Sequence, residues 1–143
     1  MPAYYFDTSA LVKRYHIEPG SDRVDRLFTD PASTFLTANI TLVELTSALD
    51  RKCQEGTLLR PALNRVLMAV SQDLTEEFAL IELGASHILQ SQELILRYHL
   101  RTLDALHLAV LLTLRELVPT LVSADHRLLD AAQQEQFAVL NPT

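Results

Sequence analysis

Three observations predict an α/β fold: a short, mostly parallel sheet of five strands covered by helices on both faces, a three-layer α/β/α sandwich. Runs rich in β-branched and aromatic residues alternate with longer amphipathic runs along the chain, as they do where parallel strands are joined by helical crossovers. Abundant Leu and Ala, with 3 Gly and 6 Pro, favour helix and leave no low-complexity tract. The length, 143 residues, suits one domain, 1–143, that can bury a core without disulfides.

The first strand is carried by Tyr4, Tyr5 and Phe6 and stops at Asp7, Thr8 and Ser9. Those three residue types cap helices, here the amphipathic run 10–15. Glu18-Pro19-Gly20-Ser21 breaks the chain before a helix over 22–28 that turns Val24, Leu27 and Phe28 inward, and Asp30-Pro31 ends it. Residues 33–38 read as the second strand. Asn39 then opens a helix to about 55, with Leu42, Leu45, Leu49 and Cys53 on one stripe and Asp50, Arg51 and Gln54 toward water.

Arg60-Pro61 starts a helix over 62–71, and 78–81 is the third strand. Gly84 leads into a helix over 86–98 carrying Ile88, Leu89, Ile95 and Leu96. Thr102 is expected to cap a helix over 103–117, which is apolar almost all round and should be buried. Residues 120–122 and 137–140 supply the last strands, on either side of a helix over 126–134. Three connections hold two helices each, so counting reversals does not tell which helices begin at which edge of the sheet.

A formal charge of −6 and a pI near 5.2 exclude a nucleic-acid binder that works through a broad basic surface. They leave room for one that recruits divalent cations. The single Cys53 cannot form an intrachain disulfide, which fits a cytoplasmic protein. The longest apolar stretch, 105–112, is short and contains His107, so neither a signal peptide nor a membrane span is expected.

Asp7, Glu44, Asp104 and Asp125 each fall at or within the first turn of a helix expected from sequence. Helix capping alone accounts for such acids, and Thr41-Leu42-Val43-Glu44 matches a capping box. Their apolar neighbours argue for more. Glu44 lies between Val43 and Leu45, and Asp104 between Leu103 and Ala105, where an uncompensated charge is costly to bury. If the four converge, each close pair repels by about 3 to 4 kcal/mol at an effective dielectric near 20. A hard cation such as Mg²⁺ or Mn²⁺ would relieve it, whereas the five scattered histidines offer no zinc or copper cluster.

The stretches Phe6-Asp7-Thr8-Ser9-Ala10-Leu11-Val12-Lys13, Thr41-Leu42-Val43-Glu44-Leu45, Arg101-Thr102-Leu103-Asp104-Ala105-Leu106-His107-Leu108-Ala109 and Thr120-Leu121-Val122-Ser123-Ala124-Asp125 resemble the successive motifs of PIN-domain nucleases. Their order and spacing resemble the VapC-like toxins in particular. The resemblance implies an RNA-hydrolysing domain in which Asp7, Glu44, Asp104 and Asp125 bind Mg²⁺ or Mn²⁺. Asp7 and Asp104 would be the principal ligands. Glu44 would orient or deprotonate water, and Asp125 would complete a second metal position. Thr8 and Ser123 match polar positions beside the first and last acids. Lys13, Arg14, Arg97 and Arg101 are candidate phosphate contacts, His126 could contact substrate, and His107 would pack or orient a neighbour. A small antitoxin partner and a homodimer are implied as well.

Two other readings compete. One keeps the fold without the chemistry, as a catalytically silent PIN-like module that binds protein partners; the presence of all four acids counts against it. The other is a phospho-acceptor receiver domain. It needs paired acids after the first strand and a late lysine, whereas Tyr5-Phe6-Asp7 has one acid and no Lys follows Lys52.

Overall fold

The computed structural model describes the whole chain, Met1–Thr143. Strands β1 (Ala3–Phe6), β2 (Thr34–Ala38), β3 (Phe78–Ile81), β4 (Thr120–Val122) and β5 (Ala138–Leu140) form one sheet in the order β3-β2-β1-β4-β5. All four pairings are parallel. The helices are α1 (Thr8–Tyr15), α2 (Ser21–Leu27), α3 (Ile40–Gln54), α4 (Arg60–Glu76), α5 (Ala85–Tyr98), α6 (Thr102–Leu112) and α7 (His126–Gln134). None is long and apolar enough to cross a membrane.

Strand alternation divides the core into two halves, because successive side chains leave a strand on opposite faces. Tyr5, Leu36 and Leu121 pack with α5, α6 and α7 on one face. Phe6, Phe35 and Val122 pack with α1 to α4 on the other. There Phe6, Phe28, Phe35 and Phe78 form an aromatic cluster with ring centroids 4.3 to 6.3 Å apart. The result is the three-layer sandwich expected from sequence.

The chain builds the sheet outward from β1 through β2 to β3, then crosses back to lay β4 against the other side of β1. The order therefore reverses between β1 and β4, and a crevice opens there beyond the carboxyl ends of the strands. Asp7 follows β1 and Asp125 closely follows β4, so both stand at this switch point.

Several local expectations need correction. The helix expected over 62–71 runs on to Glu76, because Leu74 is buried in the core and extends the apolar stripe. The helix expected over 103–117 stops at Leu112 and gives way to a 3-10 turn, Arg115–Leu117. Thr102 does not cap it: Arg101 holds the capping position, with no side-chain cap bond. Leu42, Ile88, Leu89 and Leu96 are exposed, while Leu45, Leu49 and Leu94 carry the burial of α3 and α5. Helix α6 is buried along most of its length, packed between α5 and α7 and against the sheet, with Ala105, Leu108, Ala109, Val110 and Leu111 inaccessible.

Candidate active site

Asp7 is the anchor of the site. As the N-cap of α1 it accepts the Ala10 amide at Oδ1, 3.0 Å. The Ser9 hydroxyl donates to the same carboxylate, 2.8 and 2.9 Å, and Ser123 donates to Oδ2 at 2.7 Å. The two serines also accept amides of the β4–α7 turn, Ser9 from Ala124 at 2.9 Å and Ser123 from Asp125 at 3.0 Å. One lattice of hydrogen bonds therefore ties the turn after β1 to the turn after β4. Asp125 in turn caps α7, accepting the Leu128 amide at 3.1 Å.

Glu44 and Asp104 reach the same crevice from the two layers of helices. Glu44 lies at the start of the second turn of α3, two residues farther in than a capping box would place it, and forms no such box. Thr41 bonds to Thr37 instead, 2.7 Å, and Glu44 Oε1 meets His107 Nε2 at 2.8 Å. His107 Nδ1 faces the hydroxyl of the fully buried Tyr5 at 2.8 Å. Burial and the nearby Asp7 and Glu44 charges raise the Tyr5 pKa, so the phenol keeps its proton. The Glu44 carboxylate can only accept, so His107 Nε2–H donates to it. Asp104 is in the first turn of α6, and the Arg101 guanidinium joins it to Asp125, through Nε to Asp104 at 3.2 Å and Nη2 to Asp125 at 2.7 Å.

All four acids expected from sequence line one cavity of about 530 Å³. No three of them close on a single point, since Arg101 spans two and His107 holds a third. Six carboxylates line the cavity against Lys13, Arg51, Lys52 and Arg101, which leaves two negative charges. Burial raises the Asp7 pKa, against the nearby His107 and the hydrogen bonds from Ser123, Ser9 and Ala10. Burial also raises that of Asp104, helped by the Asp125 charge and opposed by Arg101. Beside them the Thr8 hydroxyl is buried without a partner. An all-oxygen donor set with two charges in excess fits a hard divalent cation.

Of the other residues expected here, Thr8, Ser123, Lys13 and Arg101 belong to this site. Arg14 does not: it pairs with Asp73 and Glu77 just ahead of β3 and lies over the Phe28 ring at 3.8 Å. Arg97 pairs with Glu93 and Glu135, away from the crevice, and His126 does not line it. Sequence reasoning missed Ser9 as an Asp7 partner, and it missed the wall formed by Ser47, Ala48, Arg51, Lys52 and Glu55. The helical spacing from Glu44 to Ala48, Arg51 and Glu55 would have found that wall.

In a parallel α/β/α sandwich the crevice at the switch point is where ligands bind, and here four acids line it. The PIN domain family model matches residues 4–134, and the chain belongs to the PIN-domain family. It is 35% identical over 141 residues to Ribonuclease VapC35 of Mycobacterium tuberculosis, covering 96% of each chain. Among solved structures it resembles VapC20 of M. tuberculosis, described as a Sarcin-Ricin loop cleaving toxin, with a TM-score of 0.69 and 19% identity. That match covers 90% of this chain and 94% of the other. A toxin–antitoxin complex from Klebsiella pneumoniae matches with a TM-score of 0.64 and 21% identity over 98% of both chains. VapBC2 of Rickettsia felis bound to promoter DNA matches with a TM-score of 0.67 and 14% identity, over 97% of this chain and 98% of that one. At these identities the structures establish a shared fold.

Proposed function

We propose that the chain, 1–143, is a divalent-metal-dependent ribonuclease and the toxin of a toxin–antitoxin pair. The observation that carries this is the convergence of Asp7, Glu44, Asp104 and Asp125 on one cavity short of two positive charges. The 35% identical relative named a ribonuclease supports RNA as substrate, and the complexes of like fold support a small antitoxin partner. A homodimer and a cytoplasmic location complete the reading; the single free Cys53 suits a reducing compartment.

Asp7 and Asp104 would be the principal ligands of Mg²⁺ or Mn²⁺, with Asp125 completing a second position. A cation bound there supplies charge neutralisation at the phosphoryl group and a water of lowered pKa. The chain's own residues do the rest. Ser9, Ser123 and the Ala10 amide hold the Asp7 carboxylate in one orientation. The Tyr5–His107 pair holds Glu44 by one oxygen, leaving the other to orient or deprotonate the attacking water. Thr8 lines the cavity with its hydroxyl buried and uncommitted. Arg101, three-quarters exposed, has the reach to turn from the acids to a phosphate.

The test is incubation of a panel of structured and single-stranded RNAs with the protein and Mn²⁺, with and without a chelator, beside Glu44→Gln. Cleavage that needs the ion and falls at least about 100-fold in the variant is expected. Intact RNA throughout, with the protein folded and the ion present, would favour the silent PIN-like module.

A further inference from the structure

Two turns beyond the acids, the same cavity has a wall of opposite character. Helices α1 and α3 each bring an acid to the switch point, Asp7 and Glu44, and each carries a lysine farther along, Lys13 and Lys52. Six to eight residues of helix correspond to about 9 to 12 Å. The two ammonium groups share one carboxylate: Lys13 Nζ lies 3.1 Å from Glu18 Oε1 and Lys52 Nζ 3.3 Å from Oε2. Burial alone would raise the Glu18 pKa, but the two lysines more than offset it and hold the carboxyl below its usual range. Lys13 is 7% exposed, buried against this carboxylate, and Lys52 is the more open of the two at 23%. Arg51, on the same wall, donates only to Ser47 and has no carboxylate partner.

We infer that Lys13 and Lys52, bridged by Glu18, form a second phosphate subsite that holds an RNA phosphate adjacent to the scissile region. Two lysines on one glutamate leave a net positive charge, and Arg51 on the same wall offsets the neighbouring Glu55, so this end of the cavity stays positive. Glu18 acts as a tether. It keeps both ammonium groups aimed at one place while no phosphate is there, and it weakens binding by repelling the anion. A polyanion entering the cavity then meets carboxylates at one end and ammonium groups at the other, which fixes its direction. The inference rests on RNA being the substrate.

The test measures binding of a fluorescein-labelled single-stranded RNA by anisotropy, with Mg²⁺ present, in an Asp7→Asn background that blocks cleavage. Lys52→Gln should weaken binding about tenfold and lower the slope of log K against log salt by about 0.7, the value of one single-strand phosphate contact. Glu18→Gln should tighten binding several-fold. A purely structural ion pair would give no such gain, and both variants would then lose thermal stability with RNA affinity unmoved. Replacing single phosphates of the RNA by neutral methylphosphonates should identify one linkage whose loss is felt by the parent and not by Lys52→Gln. If RNA binds and the unsubstituted protein cleaves it, yet both variants bind as the parent does, the subsite is overturned and the nuclease stands. If RNA neither binds nor is cut, both fall.

Discussion

Asp7 carries the sharpest conflict between folding and function in the molecule. It caps α1, it is 3% exposed, and four hydrogen bonds from three donors surround its carboxylate. Even so, burial leaves its pKa raised, and the same holds for Asp104. A carboxyl group whose native pKa exceeds its unfolded value binds its proton more tightly when folded. Its contribution to stability is therefore intact below about pH 4 and is lost as pH rises through the native pKa. Asp7→Asn keeps the cap and a hydrogen-bonding amide while removing the charge. Its melting temperature should match the parent near pH 4 and exceed it at pH 7. Cleavage by the same variant should be abolished. Thermal unfolding across pH beside an RNA assay checks both, and a variant less stable at pH 7 would show that the charge is fully compensated in the fold. Asp7 was legible as a candidate site residue because an acid directly after a strand is a local pattern. Its partnership with Ser123, 116 positions away, was not legible: the family likeness placed Ser123 only beside the last acid.

At the scale of elements, α6 decides the geometry. It begins at the carboxyl edge of the sheet, where Arg101 reaches Asp125, and is followed by β4, which starts from the opposite edge. Helix α6 thus makes the return crossing that the doubled connection left undecided, and it delivers Asp104 to the switch point. Its footing is apolar packing between α5, α7 and the sheet, with Leu108 fully buried. Leu108→Ala should cost about 2 to 5 kcal/mol by removing that packing. Urea unfolding measures it; a loss under about 1 kcal/mol would show that the helix is not locked in place. The burial of α6 was readable in its all-round apolar composition, whereas its end at Leu112 was not, because Thr113 and Leu114 continue the pattern and only the 3-10 turn breaks it. In α3 the capping-box motif misled. Thr41 bonds to Thr37, and Glu44, two residues farther into the helix than the box requires, bonds to His107. Such competition between local and tertiary hydrogen bonds leaves no trace in spacing.

Across the whole molecule, the sheet order places the acids and the helices grade the charge. Two turns at the switch point supply Asp7 and Asp125, and α3 and α6 add Glu44 and Asp104 from opposite layers. From there α1 and α3 lead to Lys13 and Lys52, so a chain of net charge −6 still offers a positive wall inside its cavity. Overall charge hid that wall from a reading of composition. The five strands and the parallel sheet were clear from alternation alone, while the interlocked Arg101, Asp104 and Asp125 required three dimensions. The most direct measurement is Mn²⁺ binding, by electron paramagnetic resonance of the free ion, to the parent and to Asp7→Asn, Asp104→Asn and the remote Asp22→Asn. Binding that weakens at least about tenfold in the first two and stays unchanged in the third is the expected result. Equal binding in all four, or none in the folded parent, would contradict a shared cation centre.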